Sequence, residues 1–232
     1  GVPALGVHLL HRVARAADGT LSTVVPGADP RFGLQSPFDA LVNVTTPGAR
    51  TFAYTGTRTV QLANAADILS VATQVDTVVT DGLPATVAYD GGTRTAVGTS
   101  TAGRSVTRTF DALGRLTSSQ VAGLNPVSFA YDGRGRLASV TEGSGGQSRT
   151  YTFVYSPQGF LQLVTDPLGR TVAYVRDANG RVTSKTLPGG AAVGFGYDAA
   201  GDLVTITPPG RTAHLFGYDG RGELTTVTPP AL

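Results

Sequence analysis

Aspartate is the chemically active residue that recurs most regularly in this chain. Asp111, Asp132, Asp177, Asp198 and Asp219 each stand three residues before a glycine. A row of carboxylates could hold a metal ion or act as general acids. The Asp-x-x-Gly spacing also fits a tight turn, in which the Asp side chain accepts backbone N–H groups and the glycine takes a positive φ. Because the turn explains every copy without further assumption, we predict a structural role for these carboxylates.

Other candidate catalytic or ligand-binding groups are sparse in the sequence. His8 and His11 are three residues apart, as two metal ligands on one helical turn would be, but no third ligand is evident. His214 is isolated, and the chain has no cysteine. The Gly-Gly pairs lack the lysine and the following helix of a phosphate-binding loop. We therefore expect no catalytic residue, no metal ion and no cofactor, and we expect that the chain is not an enzyme.

The aspartates belong to a longer motif, in which an aromatic residue precedes the Asp and a Leu or Val follows the Gly. Successive aromatic positions are 21, 24, 21, 21 and 21 residues apart, with Arg176 in one aromatic position and Ser156 in one Asp position. A fixed period in this range predicts an array of identical supersecondary units. The structural motif residues are Phe110, Asp111, Gly114, Tyr131, Asp132, Gly135, Tyr155, Gly159, Asp166, Gly169, Asp177, Gly180, Tyr197, Asp198, Gly201, Tyr218, Asp219 and Gly222.

A second turn signal lies halfway through each repeat. Residues 166–169 read Asp-Pro-Leu-Gly, and Pro-Gly turns occupy residues 187–190 and 208–211. Residues 142–146 fill the same place in the 24-residue repeat, where we expect the extra residues to form a loop. Turns about every ten residues are typical of an up-and-down antiparallel meander.

The segments between turns alternate as β-strands do. Phe129 and Tyr131 are two residues apart, which puts both rings on one face of a strand. The same spacing recurs in later repeats, so we predict ladders of aromatic residues across the strands. Leu137 and Val140 are three residues apart, and a β-bulge would return both to one face. A helical turn is the alternative interpretation of this step.

The first half of the chain carries a weaker form of the motif. We divide the chain into a divergent N-terminal segment at 1–44, which is a degenerate repeat or a cap, degenerate repeats at 45–104 and regular repeats at 105–232. Residues 62–75 favour strand, with an Ala-rich helix as the alternative. Residues 15–27 could be a degenerate unit with a turn at 25–27, or residues 5–17 could form a short helix.

Composition supports β-structure and excludes two classes of partner. Thr and Val are abundant while Met, Cys and Trp are absent, which favours strands. The formal net charge is only +2 and the charges are scattered, so we expect no nucleic acid partner. No apolar run reaches the roughly 20 residues that a membrane-spanning helix needs. The spacing gives on the order of 20 strands, more than an open twisted sheet tolerates, so we expect the sheet to coil into a spiral or a shell-like wall.

These motifs resemble the YD-repeat or Rhs-repeat family. The pattern Tyr-Asp-x-x-Gly-Arg-Leu followed by Val-Thr and a Pro-Gly turn matches residues 131–141, 165–171, 197–210 and 218–229. The resemblance is clear over 105–232 and weaker over 45–105. It implies a β-sheet ribbon that spirals into a hollow shell, as in bacterial Rhs proteins, toxin-complex cocoons and teneurins, which encloses a toxin or plug or presents a surface for adhesion.

We therefore expect an all-β, antiparallel up-and-down meander that belongs to a longer, secreted or cell-surface, bacterial protein. In this interpretation the chain is a non-catalytic shell segment that encapsulates or displays another part of the protein, such as a toxin domain. Its partners would be other segments of the same polypeptide or copies of itself. The alternative is an adhesin-like module that recognises a carbohydrate or a protein partner, with exposed edge strands that stack into end-to-end filaments.

Overall fold

The computed structural model describes residues 12–230. These residues divide into two units, one that ends at Pro126 and one that begins at Val127. The first unit contains nine β-strands. They are β1 (Arg12–Arg15), β2 (Leu21–Asp29), β3 (Gly33–Thr45), β4 (Thr51–Leu62), β5 (Val71–Thr80), β6 (Leu83–Asp90), β7 (Thr95–Thr99), β8 (Ser105–Phe110) and β9 (Leu116–Val121).

The second unit contains the regular repeats, and its strands are shorter. They are β10 (Val127–Tyr131), β11 (Leu137–Glu142), β12 (Arg149–Tyr155), β13 (Leu161–Thr165), β14 (Thr171–Arg176), β15 (Val182–Thr186), β16 (Ala192–Tyr197), β17 (Leu203–Thr207), β18 (His214–Tyr218) and β19 (Leu224–Thr228). A short 3-10 helix, Gly145–Gln147, lies in the loop between β11 and β12, where the sequence predicted extra loop residues.

Within each unit every strand pairs antiparallel with the next strand along the chain. This holds from β1 to β9 in the first unit. It also holds from β10 to β19 in the second. Residues 12–230 contain no α-helix. The predicted all-β antiparallel meander is therefore confirmed.

A β-bulge follows the turn at the end of each aromatic strand of the regular repeats, but not the half-way turn at 166–169. Tyr131 pairs with Leu137, but the preceding Ala130 pairs with Ser139, so that Ala138 is an extra residue. The bulge returns Leu137 and Val140 to the same face of the sheet. The predicted bulge is confirmed and the helical turn is wrong. The corresponding extra residues are Thr117, Gln162, Thr183, Val204 and Thr225.

The aromatic residues of the second unit share one face, but they do not lie opposite each other. Phe129 pairs with Val140, and Phe195 pairs with Ile206. In the hairpins that end in a bulged turn, the first strand is aromatic and the second is aliphatic. The predicted aromatic ladders are therefore wrong in this detail, because each aromatic strand lies beside aliphatic strands.

The other face of the second unit carries small and hydroxylated residues. Ala130 pairs with Ser139 and Gly196 with Thr205 on this face, for example. No apolar side chain among residues 12–230 is fully buried, and Val175 is 57% exposed. The two faces of the second unit therefore differ in composition, although Val154, Leu163 and Val175 add apolar side chains to the second face.

At residues 62–75 the favoured strand interpretation holds at both ends, because β4 ends at Leu62 and β5 begins at Val71. A turn joins these two strands, so the alternative Ala-rich helix is wrong. The expected turn at 25–27 lies inside β2, and the chain turns at 29–33 instead. Residues 12–15 form a strand rather than part of a helix, while the rest of that expectation up to residue 11, together with His8 and His11, lies outside the described residues.

Candidate functional site

The Asp-x-x-Gly turn is built by one Asp and one Gly. In the turn after β10, the Gly135 N–H donates to the Asp132 carbonyl at 2.9 Å, and the Asp132 N–H donates to the Arg136 carbonyl at 2.8 Å. The Asp132 Oδ1 atom accepts the backbone N–H of Arg134 at 2.9 Å and of Arg136 at 3.0 Å. Gly135 has a φ of 81°, which costs a residue with a Cβ about 1–2 kcal/mol.

The structure places the same geometry at the other copies of the motif. The Oδ1 atom of each further Asp accepts two backbone N–H groups of its turn, in Asp111, Asp166, Asp177, Asp198 and Asp219. In the variant copy the Ser156 hydroxyl takes this place and accepts the Phe160 N–H at 3.3 Å. The turn glycines all have positive φ, at Gly114, Gly159, Gly169, Gly180, Gly201 and Gly222.

Four of these aspartates also pair with the Arg that follows the glycine. The Asp132 and Arg136 side chains approach to 2.7 Å, as do those of Asp177 and Arg181. The same pair forms in the turns at 111–115 and 166–170. Hydrogen bonds from the Arg136 side chain and backbone hold the pKa of Asp132 below its usual range, because they favour the charged carboxylate. No group of three His, Cys, Asp or Glu residues that could hold a metal ion lies within residues 12–230.

The same Arg reaches across to the next hairpin. Strands β11 and β12 pair only as far as Ser139 and Thr152 on the side of these turns. Beyond that point the Arg136 guanidinium carbon lies 4.5 Å from the centre of the Tyr155 ring. The Tyr155 hydroxyl donates to the Leu137 carbonyl at 2.9 Å. We call this pair of contacts between successive hairpins the joint.

The joint recurs with the period of the sequence. The Arg181 guanidinium carbon lies 4.7 Å from the centre of the Tyr197 ring, and the Tyr197 hydroxyl donates to the Val182 carbonyl at 3.0 Å. The Tyr218 hydroxyl donates to the Leu203 carbonyl at 3.0 Å, although Asp202 stands where the other joints have Arg. The motif tyrosines thus fasten one repeat to the previous one. The two-residue spacing between Phe and Tyr predicted which face of the sheet carries these tyrosines, but it did not predict the hydrogen bond from the Tyr hydroxyl to the previous hairpin.

One joint has its two side chains exchanged. Phe160 occupies the Arg position of its repeat, and Arg176 occupies the Tyr position of the next one. The Arg176 guanidinium carbon lies 5.5 Å from the centre of the Phe160 ring, so the cation–π contact survives with its partners reversed. The Arg176 Nη1 atom donates to the Gly180 carbonyl at 2.8 Å. Two apparent departures from the motif therefore compensate each other.

The first unit contains a cluster of ion pairs that sequence analysis missed. Asp29 is 2% exposed, and its carboxylate accepts Arg31 Nε at 3.3 Å and Arg58 Nη1 at 3.0 Å. The Arg58 Nε atom donates to Asp76 at 2.7 Å. Burial alone would raise the pKa of Asp29, but the hydrogen bonds from Arg31 and Arg58 hold it far below its usual range. No local motif marks these residues, which come from separate strands and turns.

Comparison with known families identifies the family to which this chain belongs. The profile of the family described as Teneurin YD-shell matches residues 76–230. This chain belongs to the teneurin YD-shell family. The YD-repeat resemblance of the sequence is thereby confirmed. No curated protein sequence matches the chain.

Solved structures share the fold of this YD-shell chain. It is similar to a crystal structure of TcdB2-TccC3-Cdc42, with 16% identity and a TM-score of 0.55. It is also similar to TcdB2-TccC3, with 15% identity and a TM-score of 0.56, and to a Photorhabdus luminescens Tc holotoxin pore, with 15% identity and a TM-score of 0.55. Each match covers 91% of this chain and 12% of the other chain, so this chain spans a small part of those proteins.

No helix among residues 12–230 has the length and apolar character needed to cross a membrane.

Proposed function

We propose that this chain is a non-catalytic wall segment of a secreted or cell-surface protein, whose β-sheet encloses or displays another part of the same polypeptide. The observation that carries the proposal is the joint. The Asp132 carboxylate holds its own turn and Arg136, and Arg136 stacks on Tyr155 of the next hairpin. The most regular polar groups of the chain are thus engaged in linking one repeat to the next.

The two-sided sheet of the second unit supports the same proposal. One face carries Phe and Tyr with Leu, Val and Ile, and the other carries mainly Thr, Ser, Gly and Ala. A wall that separates an enclosed segment from solvent needs two chemically different faces, as this sheet has. A lectin-like surface would instead present Tyr and Arg together to solvent. The Arg136 and Arg181 guanidinium groups are stacked on Tyr rings and paired with Asp.

We further propose that the weak repeats of the first half extend the same wall. Residues 45–104 would be degenerate repeats and residues 105–232 regular ones, with 1–44 as a cap or degenerate repeat. The turn at 46–49 supports this, because the Ala49 N–H donates to the Thr46 carbonyl and the Thr46 N–H donates to the Arg50 carbonyl. These are the backbone bonds of the Asp-x-x-Gly turn.

The solved neighbours bear on what the wall would enclose. One of the similar structures is a Photorhabdus luminescens Tc holotoxin pore. We propose that this chain likewise comes from a bacterial protein and that its wall surrounds a toxin-like segment. Display of that segment for adhesion is the competing role, and the experiment below distinguishes the two.

The test compares protease protection in the full-length parent protein with that in a variant whose wall is broken. The Gly180→Val variant serves this purpose, since a Cβ at Gly180 would lie 2.5 Å from Phe160. Leu168→Ala is the matched control, because Leu168 is 77% exposed on a turn. We expect the segment outside the repeats to resist trypsin in the parent and in the control, and to be cleaved in the Gly180→Val variant.

Equal and rapid cleavage of that segment in all three proteins would contradict enclosure and favour display. A second measurement addresses catalysis within the repeats. We expect the mass of the 232-residue chain to stay unchanged on long incubation, since the carboxylate of Asp166 is engaged in its turn and with Arg170. Spontaneous cleavage at that turn would contradict a non-catalytic role.

A further inference from the structure

The exchanged joint leaves one backbone acceptor without the partner that its equivalents have. In the other joints of the second unit, the carbonyl two residues after the turn glycine accepts a Tyr hydroxyl, at Leu137, Val182 and Leu203. Leu161 is the equivalent residue of the exchanged joint. Arg176 replaces the Tyr that would reach it, and within residues 12–230 no side-chain hydroxyl donates to the Leu161 carbonyl.

A cleft opens where that Tyr is missing. Strands β13 and β14 pair only from Leu163 with Ala173 to Thr165 with Thr171, so the two hairpins separate beyond Leu163. The gap forms a cavity of about 530 Å³. This volume lies within the range of sites that hold small ligands. Its lining includes Gln158, Phe160, Leu161, Gln162, Tyr174 and Arg176.

The cleft combines a cation, an apolar ring and hydrogen-bonding groups, and the Asp177 carboxylate that also lines it is paired with Arg181. The Arg176 guanidinium carries the positive charge, and its Nε atom is buried without a hydrogen-bond acceptor among the described residues. Phe160 is 41% exposed and lines the cleft. Gln158 and Gln162 add exposed side-chain amides, which both donate and accept hydrogen bonds.

We propose that this cleft binds an acidic saccharide, that is, a pyranose that bears a carboxylate. The carboxylate pairs with the Arg176 guanidinium in a charge-assisted hydrogen bond. The sugar hydroxyls donate to the Leu161 carbonyl and exchange hydrogen bonds with the glutamine amides. The apolar face of the pyranose packs on the Phe160 ring. The site lies on the wall segment and is separate from the role of the wall as a container.

Other small ligands would interact with fewer of the groups that line the cleft. A phosphate would pair with Arg176 but would have no use for the Phe160 ring and would place its oxygens against the Leu161 carbonyl, which is itself an acceptor. A Tyr side chain from another protein would satisfy the Leu161 carbonyl but would leave the guanidinium charge unpaired. The acidic saccharide engages the charge, the ring and the carbonyl together.

The test titrates D-glucuronic acid into the 232-residue chain and follows binding by isothermal calorimetry and ligand-observed NMR. D-glucose and N-acetyltyrosinamide are the comparison ligands. We expect saturable binding of glucuronic acid and at least tenfold weaker binding of both comparison ligands. Absence of glucuronic acid binding, or equally tight binding of either comparison ligand, would overturn the proposal.

Two variants locate the site. The double variant Phe160→Arg/Arg176→Tyr restores the order of side chains found at Arg136 and Tyr155 and places a Tyr hydroxyl at the Leu161 carbonyl. We expect it to fold with an unchanged or higher Tm and to lose glucuronic acid binding by at least tenfold. Unchanged affinity in this variant overturns the proposal, because the cleft is then not the site.

Arg176→Gln tests the charge without refilling the cleft, and Arg170→Gln is its matched control. Arg170 is a half-way turn residue with a side chain 61% exposed. We expect the Arg176→Gln protein to bind glucuronic acid at least tenfold more weakly and the Arg170→Gln protein to bind it as the parent does. Equal loss in both variants would indicate a non-specific effect of net charge and would overturn the proposal.

Discussion

The Arg136 guanidinium carbon lies 4.5 Å from the centre of the Tyr155 ring, across the gap between two successive hairpins. Asp132 caps the turn of its own repeat and forms an ion pair with Arg136. The Tyr155 hydroxyl also donates a hydrogen bond to the Leu137 carbonyl of the previous hairpin. Because the strands no longer pair in this region, side chains rather than ladder hydrogen bonds hold the hairpins together there.

Removal of one joint hydroxyl should weaken the sheet by a small amount. In the Tyr197→Phe variant the Val182 carbonyl loses a donor at 3.0 Å while the ring stays under Arg181. We expect the free energy of unfolding to fall by about 0.5–1.5 kcal/mol, the net worth of one such hydrogen bond. Urea denaturation measures this change. Tyr151→Phe is the control, since Tyr151 is 39% exposed and lies outside the joint, and it should leave stability unchanged.

Two turn glycines should differ in their tolerance of alanine. Gly169 and Gly180 have similar φ values of 75° and 81°. A Cβ at Gly169 meets nothing within 4 Å, whereas one at Gly180 lies 2.5 Å from the Phe160 ring. We expect Gly169→Ala to cost about 1–2 kcal/mol of unfolding free energy from its positive φ alone.

Gly180→Ala should cost more than Gly169→Ala, since Phe160 must also move. A double-mutant cycle with Phe160→Ala isolates that excess. We expect the cost of Gly180→Ala to drop toward that of Gly169→Ala when Phe160 is absent. An unchanged cost in the Phe160→Ala background would show that ring contact is not the cause.

The motif aspartate should be replaceable by asparagine more readily than by alanine. Asp177 accepts two backbone N–H groups through Oδ1 and pairs with Arg181 through Oδ2. Asn keeps an oxygen for the two N–H groups but loses the charge, whereas Ala loses both interactions. We therefore expect Tm to fall in the order parent, Asn variant, Ala variant, as measured by circular dichroism. Equal Tm values for all three proteins would refute the role of Asp177 in the turn.

One degenerate turn should be improved by glycine. Ala49 has a φ of 58°, at the position that glycine occupies in the regular turns. The Ala49→Gly variant removes the steric cost of that conformation, so we expect a gain of about 0.5–1 kcal/mol in unfolding free energy. Ala53→Gly, within β4, is the control and should destabilise by about 0.5–1 kcal/mol. The opposite order of these two effects would contradict the assigned turn geometry.

The ion-pair cluster of the first unit should give acid-sensitive stability. The pKa of Asp29 is depressed in the folded protein, so the contribution of Asp29 is complete above its unfolded pKa of about 3.9 and is lost as the pH falls toward the folded pKa. We expect Asp29→Asn to destabilise the protein most between pH 5 and 7. The difference between the two proteins should shrink below about pH 4.

Urea denaturation over a series of pH values from 7 to 2 measures this effect. Asp67→Asn is the matched control, because Asp67 accepts the Leu69 N–H on an exposed turn, whereas Arg31 and Arg58 pair with Asp29 and Asp76. Its difference from the parent should stay small at every pH. A difference for Asp29→Asn that does not vary with pH would contradict the ion-pair role.

The hairpins were predictable because their determinants are local. Asp132 and Gly135 lie within four residues of each other, and their side-chain and backbone preferences select the turn before any distant contact forms. The bulge after Leu137 followed from a three-residue step in an otherwise alternating pattern. In the first half the same logic failed at residues 25–27, where a Pro-Gly pair lies inside β2 because the neighbouring strand β3 continues beside it.

The joints and the charge cluster depend on residues that are far apart in sequence. Arg176 and Phe160 looked like two unrelated departures from the motif, and Asp29 and Arg58 carried no signal of a shared site. The sequence by itself determined the period, the turns, the bulges and the all-β meander, because each depends on interactions within one hairpin. Only the tertiary structure decided which side chains meet between hairpins and where a cleft opens. Those contacts arise from the stacking of successive repeats, and the spacing of residues along one repeat does not specify them.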